Sequence, residues 1–152
     1  KVAFTTEQSS VKYMKSSYRI SPIGKKGSQY PSCWEMPVKS WITRPTDETG
    51  TVKAGKVQIV GVAMGGTKKV RSVKVSVDGG SSWKKAKFIG PNLGKYAWRQ
   101  FVLETNLSAG TYNIASLASN GGSDKQPELR MENRRGYAHN GWKDHSVNIT
   151  VV

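Results

Sequence analysis

Cysteine is nearly missing from this chain: Cys33 stands alone among 152 residues. That excludes an intrachain disulfide framework and leaves the redox compartment unreadable from thiol usage. Histidine is almost as scarce, and His139 and His145 lie far along the sequence from Cys33, so no zinc-ligand spacing exists. No apolar run approaches the ~20 residues of a helical membrane span. Helical periodicity sustained over ten or more residues is also missing, and with it any helix that a phosphate-cradling glycine loop might open. Nothing pairs two carboxylates for acid–base work, and Asp47-Glu48 reads as a turn. Acidic side chains number 10 against 24 Lys and Arg, for a formal net charge of +14. By itself the chain has no complete active site.

What is present begins with that charge. Such a field favours anionic partners: nucleic acid, anionic lipid, or a small oxyanion drawn into a cleft. The cations fall as short pairs, Lys25-Lys26, Lys68-Lys69, Lys84-Lys85 and Arg134-Arg135. Spread in this way they read first as a solvated face, with a dedicated polyanion site as the alternative. The length suits one domain, or one domain with an extension, and such a chain buries roughly two-thirds of its unfolded surface without staples. Lys1 to Glu7 shows no n-region, h-region or cleavage site, and it opens without Met. The sequence is therefore expected to be a piece of a longer chain.

Residues 1–37 lack a sustained period and carry Pro22, Pro31 and Pro37 with Gly24 and Gly27, the composition of an extended N-terminal connector. Within it, Tyr18-Arg19 is either a surface accident or a hydroxyl donor offered beside a charge. Cys33, between Pro31 and Trp34, reads as a packed thiol. From Val38 onward the pattern is strand and turn. Strands are expected at Val38–Thr43, Val57–Val62, Val73–Val77, Trp83–Phe88, Tyr96–Leu103, Thr111–Ala118 and Val147–Val152. The cleanest alternation is Val73, Val75 and Val77, followed by Asp78-Gly79-Gly80, whose glycines supply the positive φ of a tight hairpin. Seven or so short strands separated by Gly/Asp turns define an all-β fold, an immunoglobulin-like (E-set) β-sandwich over residues 38–152.

One loop stands apart. Asn133-Arg134-Arg135-Gly136-Tyr137 puts two adjacent guanidinium groups on a glycine-hinged loop flanked by aromatics and, after Trp142, by a strand. Fixed positive charge on a loop held by a rigid strand is how binding residues are commonly mounted. Arginine forks match the planar, multi-oxygen shape of small oxyanions better than lysine does.

Taken together these segments resemble the C-terminal dimerisation domain of the sulfite oxidase / sulfite dehydrogenase family of molybdenum-cofactor oxidoreductases. The matching pieces run in family order. They are Lys39-Ser40-Trp41-Ile42-Thr43-Arg44-Pro45, then Ala54-Gly55-Lys56-Val57 with Gly61-Val62-Ala63-Met64-Gly65-Gly66. Val73-Lys74-Val75-Ser76-Val77-Asp78-Gly79-Gly80-Ser81-Ser82-Trp83 is the most specific, followed by Ala97-Trp98-Arg99, Gln126-Pro127 and the loop from Asn133 to Trp142. Met64 stands where the family usually has tryptophan. Leu117 and Asn120 replace a basic residue and an aspartate, so one family ion pair is expected to be missing.

The resemblance implies that residues 1–37 are the tail of an upstream molybdenum-cofactor-binding domain plus a linker. It also implies that Tyr18 and Arg135 reach the molybdenum centre, where they hold the substrate oxyanion. Arg134, at a position often non-basic in the family, ranks behind Arg135. The molybdenum cofactor (molybdopterin) and its cysteine ligand would belong to the upstream domain, so Cys33 is not that ligand. Further implications are a homodimer, sulfite or a related oxyanion as substrate, a c-type cytochrome as electron acceptor, and a periplasmic location. The rival from the residues alone is a basic immunoglobulin-like module that grips nucleic acid or an acidic glycan. Its affinity would fall linearly in log–log against salt.

Overall fold

The structure is a computed structural model that describes residues 2–152. Lys1, on which part of the reading of a trimmed start rests, lies outside them. The chain divides into two compact units, one of residues up to Trp34 together with Met131–His139, the other of Glu35–Arg130 with Asn140–Val152.

The larger unit is the expected sandwich. Its strands are β1 (Lys39–Arg44), β2 (Thr51–Val52), β3 (Gly55–Met64), β4 (Val70–Ser76), β5 (Lys84–Lys85), β6 (Lys87–Ile89), β7 (Arg99–Leu107), β8 (Gly110–Asn120) and β9 (Val147–Val151). They form a four-stranded sheet in the order β1-β3-β7-β6 and a five-stranded sheet in the order β2-β9-β8-β4-β5. Alternation decides which side chains meet between the sheets. Val57 and Ile59 on β3, Val73 and Val75 on β4, Phe101 and Leu103 on β7, and Ile114 on β8 point inward and are buried. Each contributes about 1.5–3 kcal/mol through removal from water. Gly61 sits opposite Phe101 in the ladder, and the ring covers the space that a side chain there would fill.

Two strand expectations differ in detail, and one strand was not expected. The single return strand at Trp83–Phe88 is two pieces. Lys84–Lys85 pairs with β4 and Lys87–Ile89 with β7, so the chain changes sheets at the buried Ala86, whose N–H donates to the Val73 carbonyl at 2.9 Å. The strand expected from Tyr96 begins only at Arg99, because Tyr96 itself has φ +65°, and it continues to Leu107. The two-residue β2, parallel to β9, is too short to show alternation.

The rims of the sandwich are fastened by polar groups. Gln126 is fully buried. Its side-chain oxygen accepts from Ser40 Oγ and from the Ala118 N–H, and its amide donates to the Ser40 and Asn140 carbonyls. Asn140 Nδ2 donates to the Val38 carbonyl at 3.0 Å, and Arg130 pairs with Asp144 at 2.8 Å. These bonds hold Arg130 and Asn140, the two residues between which the chain leaves this unit.

The smaller unit contains one turn of helix, α1 (Lys12–Ser16), a 3-10 turn at Gly27–Gln29 and an isolated bridge between Arg19 and Ser32. No described helix is long and apolar enough to cross a membrane.

Candidate functional site

The site lies wholly within the smaller unit. Asn133 organises its loop. This 6 % exposed side chain accepts the Tyr137 and Arg135 backbone N–H groups on Oδ1, at 3.0 and 3.3 Å, and donates Nδ2 to the Tyr137 carbonyl at 2.7 Å. An asparagine caging the backbone that follows it is a common way to make a tight turn from a short polar side chain. Gly136, at φ +69°, supplies the left-handed residue the turn needs. The Arg134 N–H donates to the Ser21 carbonyl at 2.9 Å, which ties the loop to the N-terminal segment.

The N-terminal side is built around Arg19. Its guanidinium donates to the carbonyls of Met14, Lys15 and Tyr30, gathering two backbone segments on one side chain. Next to it Tyr18 adopts φ +53°. That region costs a bulky L-residue on the order of 1–3 kcal/mol and persists only where the surroundings enforce it. Here the Cys33 N–H clamps the Tyr18 carbonyl at 2.7 Å. The Tyr18 ring stacks on Tyr137, with centroids 6.1 Å apart and planes 24° from parallel.

Tyr18, Arg134 and Arg135 line one cleft of about 540 Å³, together with Lys12, Lys26 and Tyr137, and no carboxylate contributes to the lining. The structure thus brings together all three residues singled out from sequence. It adds Lys12, which nothing in its local pattern marks, and Lys26, visible in the sequence only as one of the spread cation pairs. It also adds two positioning residues, Asn133 and Arg19. A weak signal for Asn133 exists in the Asn-x-x-Gly spacing of a turn; none exists for Lys12. Chemically the cleft offers fixed positive charge, phenolic O–H donors and no competing anion.

A metal would find few ligands in this chain. Among the described residues no three of His, Cys, Asp and Glu come together as a metal-holding group. The lone thiol, Cys33, is pushed up in pKa by burial, with nearby Arg19 opposing the shift, as suits a packed thiol and not a thiolate ligand. The donor set of this chain does not fit molybdenum ligation; its cations fit an anion.

Fold and cleft define an immunoglobulin-like sandwich and a smaller unit that carries a cation-lined cleft. Residues 30–152 match the family model of the Mo-co oxidoreductase dimerisation domain, and the chain belongs to that family. Mitochondrial sulfite oxidase of Macaca fascicularis is 39% identical over 130 residues, which cover 80% of this chain and 23% of that protein. The human mitochondrial enzyme is 39% identical over 129 residues, with the same coverage. The crystal structure of the sulfane dehydrogenase SoxCD from Paracoccus pantotrophus superposes with a TM-score of 0.63 at 25% identity, covering 88% of this chain and 37% of that one. The chain therefore spans about a quarter of the length of the sulfite oxidases it matches. The family depends on the molybdenum cofactor, which another domain carries.

Proposed function

We propose that this chain is the dimerisation segment of a molybdenum-dependent oxidoreductase that acts on sulfite or a related small oxyanion. In this reading it forms a homodimer and lends Arg135 to the substrate site of the upstream domain. The observation that carries the reading is the shared cleft. Tyr18 and Arg135, far apart in sequence, line one cation-rich cavity without a carboxylate, in a chain 39% identical to sulfite oxidases. A guanidinium can neutralise a small dianion and orient it through two parallel hydrogen bonds, while the Tyr18 hydroxyl donates a third. Redox chemistry is supplied by the cofactor when it is bound; this chain's residues bind and orient. Tyr13, Tyr18 and Trp34 are each more than half exposed, which suits a surface that the upstream domain covers. A c-type cytochrome completes the reading as electron acceptor, in the periplasm.

Arg135→Ala in the complete enzyme tests it. The lost charge-assisted bond, about 1.5–3 kcal/mol, should raise the substrate KM about ten- to a hundredfold with molybdenum content intact. Unchanged kinetics would remove Arg135 from the site.

A further inference from the structure

A second pocket, of about 500 Å³, lies over β4 and β8 within the sandwich unit. The pleat sets it on the outer face of the five-stranded sheet. Val73, Val75 and Ala118 point between the sheets and are buried, so their neighbours Ser72, Lys74, Leu117 and Ser119 face outward. Lys74 stands beside Leu117 on one flank and directly opposite Lys85 on the other. The Ser72 and Ser119 hydroxyls bond to each other at 2.7 Å, which leaves one of the two hydroxyl protons for a third acceptor. Trp83, half-buried, and Arg71 and Lys125, both exposed, complete the lining with the loop that follows β8. That loop is fixed by the buried Asn120. Its amide donates to the Gly65 carbonyl at 3.1 Å and to the Asp124 carboxylate at 2.8 Å, and its Oδ1 accepts the Gly122 N–H at 2.9 Å.

We propose that this pocket and the cations around it form a docking site for an acidic segment of a partner protein, one that sets carboxylates around an apolar side chain. The inference does not depend on the substrate reading above. Charge complementarity carries it. Among the described residues Arg71, Lys74, Lys85 and Lys125 form no ion pair; the ion pairs of the sandwich lie at Lys56–Glu104, Arg130–Asp144 and Lys143–Glu128. Asp124, the one carboxylate of the lining, is engaged by Asn120. Asp78, at the head of the hairpin that carries Trp83, is engaged by Ser76 and Ser82. Like charges directly opposite on a sheet destabilise it, so the Lys74–Lys85 pair is relieved when carboxylates arrive. Leu117 and Trp83 give the pocket an apolar part, and tryptophan and arginine together are typical anchors of protein interfaces. A polypeptide suits this mixture better than a nucleic acid does. Phosphates would meet the Asp124 carboxylate and leave Leu117 without an apolar partner.

Fluorescence anisotropy on the full chain tests it, with a short labelled peptide of glutamates flanking one leucine as the probe and circular dichroism to check folding. The peptide should bind at low salt and weaken as salt rises. Arg71→Ala with Lys74→Ala should raise its dissociation constant about tenfold or more, and Lys125→Ala should raise it severalfold. Lys53→Ala with Lys95→Ala removes the same charge at exposed positions outside the pocket and should change it less than about twofold. Replacing the peptide's leucine by serine should weaken binding to the unaltered chain. All the altered side chains are exposed, and Lys125→Ala alone keeps the test decisive if the double variant does not fold. No binding at low salt overturns the proposal. Equal losses from the two double variants overturn it as well, because the net charge alone would then account for the binding. A single-stranded oligonucleotide of matched charge that binds more tightly than the peptide, and loses that binding in Arg71→Ala with Lys74→Ala, replaces the protein partner by nucleic acid and overturns it too.

Discussion

Asp78 shows how much one side chain can settle within a turn. Its carboxylate accepts from Ser76 Oγ at 2.6 Å, from the Ser82 N–H at 2.9 Å and from Ser82 Oγ at 2.5 Å. These bonds favour the charged form and lower its pKa from 3.8 to about 2. Because the folded value is depressed, the stability it contributes is full above the unfolded pKa near 3.8 and is lost as pH falls through about 2. A carboxyl NMR titration should place the Asp78 midpoint near 2, and Asp78→Asn should flatten the fall in thermal stability between pH 4 and pH 2. A midpoint at the ordinary aspartate value would refute the assignment. Asn133 works in the same manner with an uncharged side chain, and the backbone it cages is the one that carries Arg134 and Arg135.

At the scale of elements the hairpin after β4 does more than reverse the chain. Gly80 has φ +95°, and a Cβ there would collide with Cη2 of Trp142, whose ring meets Trp83 edge-on with centroids 5.1 Å apart. Glycine is required twice, for its conformation and for the space that the indole occupies. Gly80→Ala should therefore cost about 1–3 kcal/mol in urea denaturation. Gly79→Ala, with only Asn113 Oδ1 at 3.8 Å, should cost about 1 kcal/mol from conformation alone. Equal losses at the two positions would show that the Trp142 contact has no weight. The elements that escape a reading of the sequence share one cause. Thr51–Val52 and Lys84–Lys85 are two residues long, and a period of two cannot be seen in two residues. The change of sheet at Ala86 is dictated by two ladders competing for one segment, and composition does not record that competition.

At the scale of the whole molecule the excess of positive charge is the dominant long-range property. In the proposed enzyme it should draw the anionic substrate toward the cleft, so kcat/KM ought to fall as ionic strength rises, with screening setting in over a Debye length of about 8 Å at physiological salt. A rate constant independent of salt would argue against steering.

The sandwich, its two apolar inner faces and the basic surface were legible along the sequence, since alternation, turn residues and charge are local properties that each stretch reports about itself. The motifs from Lys39 to Trp142 were enough to indicate the dimerisation-domain family. The cleft was legible only in part. Tyr18 and Arg135 were each visible as a residue type in a suggestive setting. That they line one cavity with Lys12 and Lys26, and that no carboxylate intrudes, depends on contacts such as Arg134 N–H to the Ser21 carbonyl, which join opposite ends of the chain. The pocket over β4 and β8 belongs to the same category. Lys74, Lys85 and Leu117 come from three separate stretches, and only strand order and register set them side by side. Periodicity tells which way a side chain points from its own strand; tertiary structure alone decides what it then stands beside.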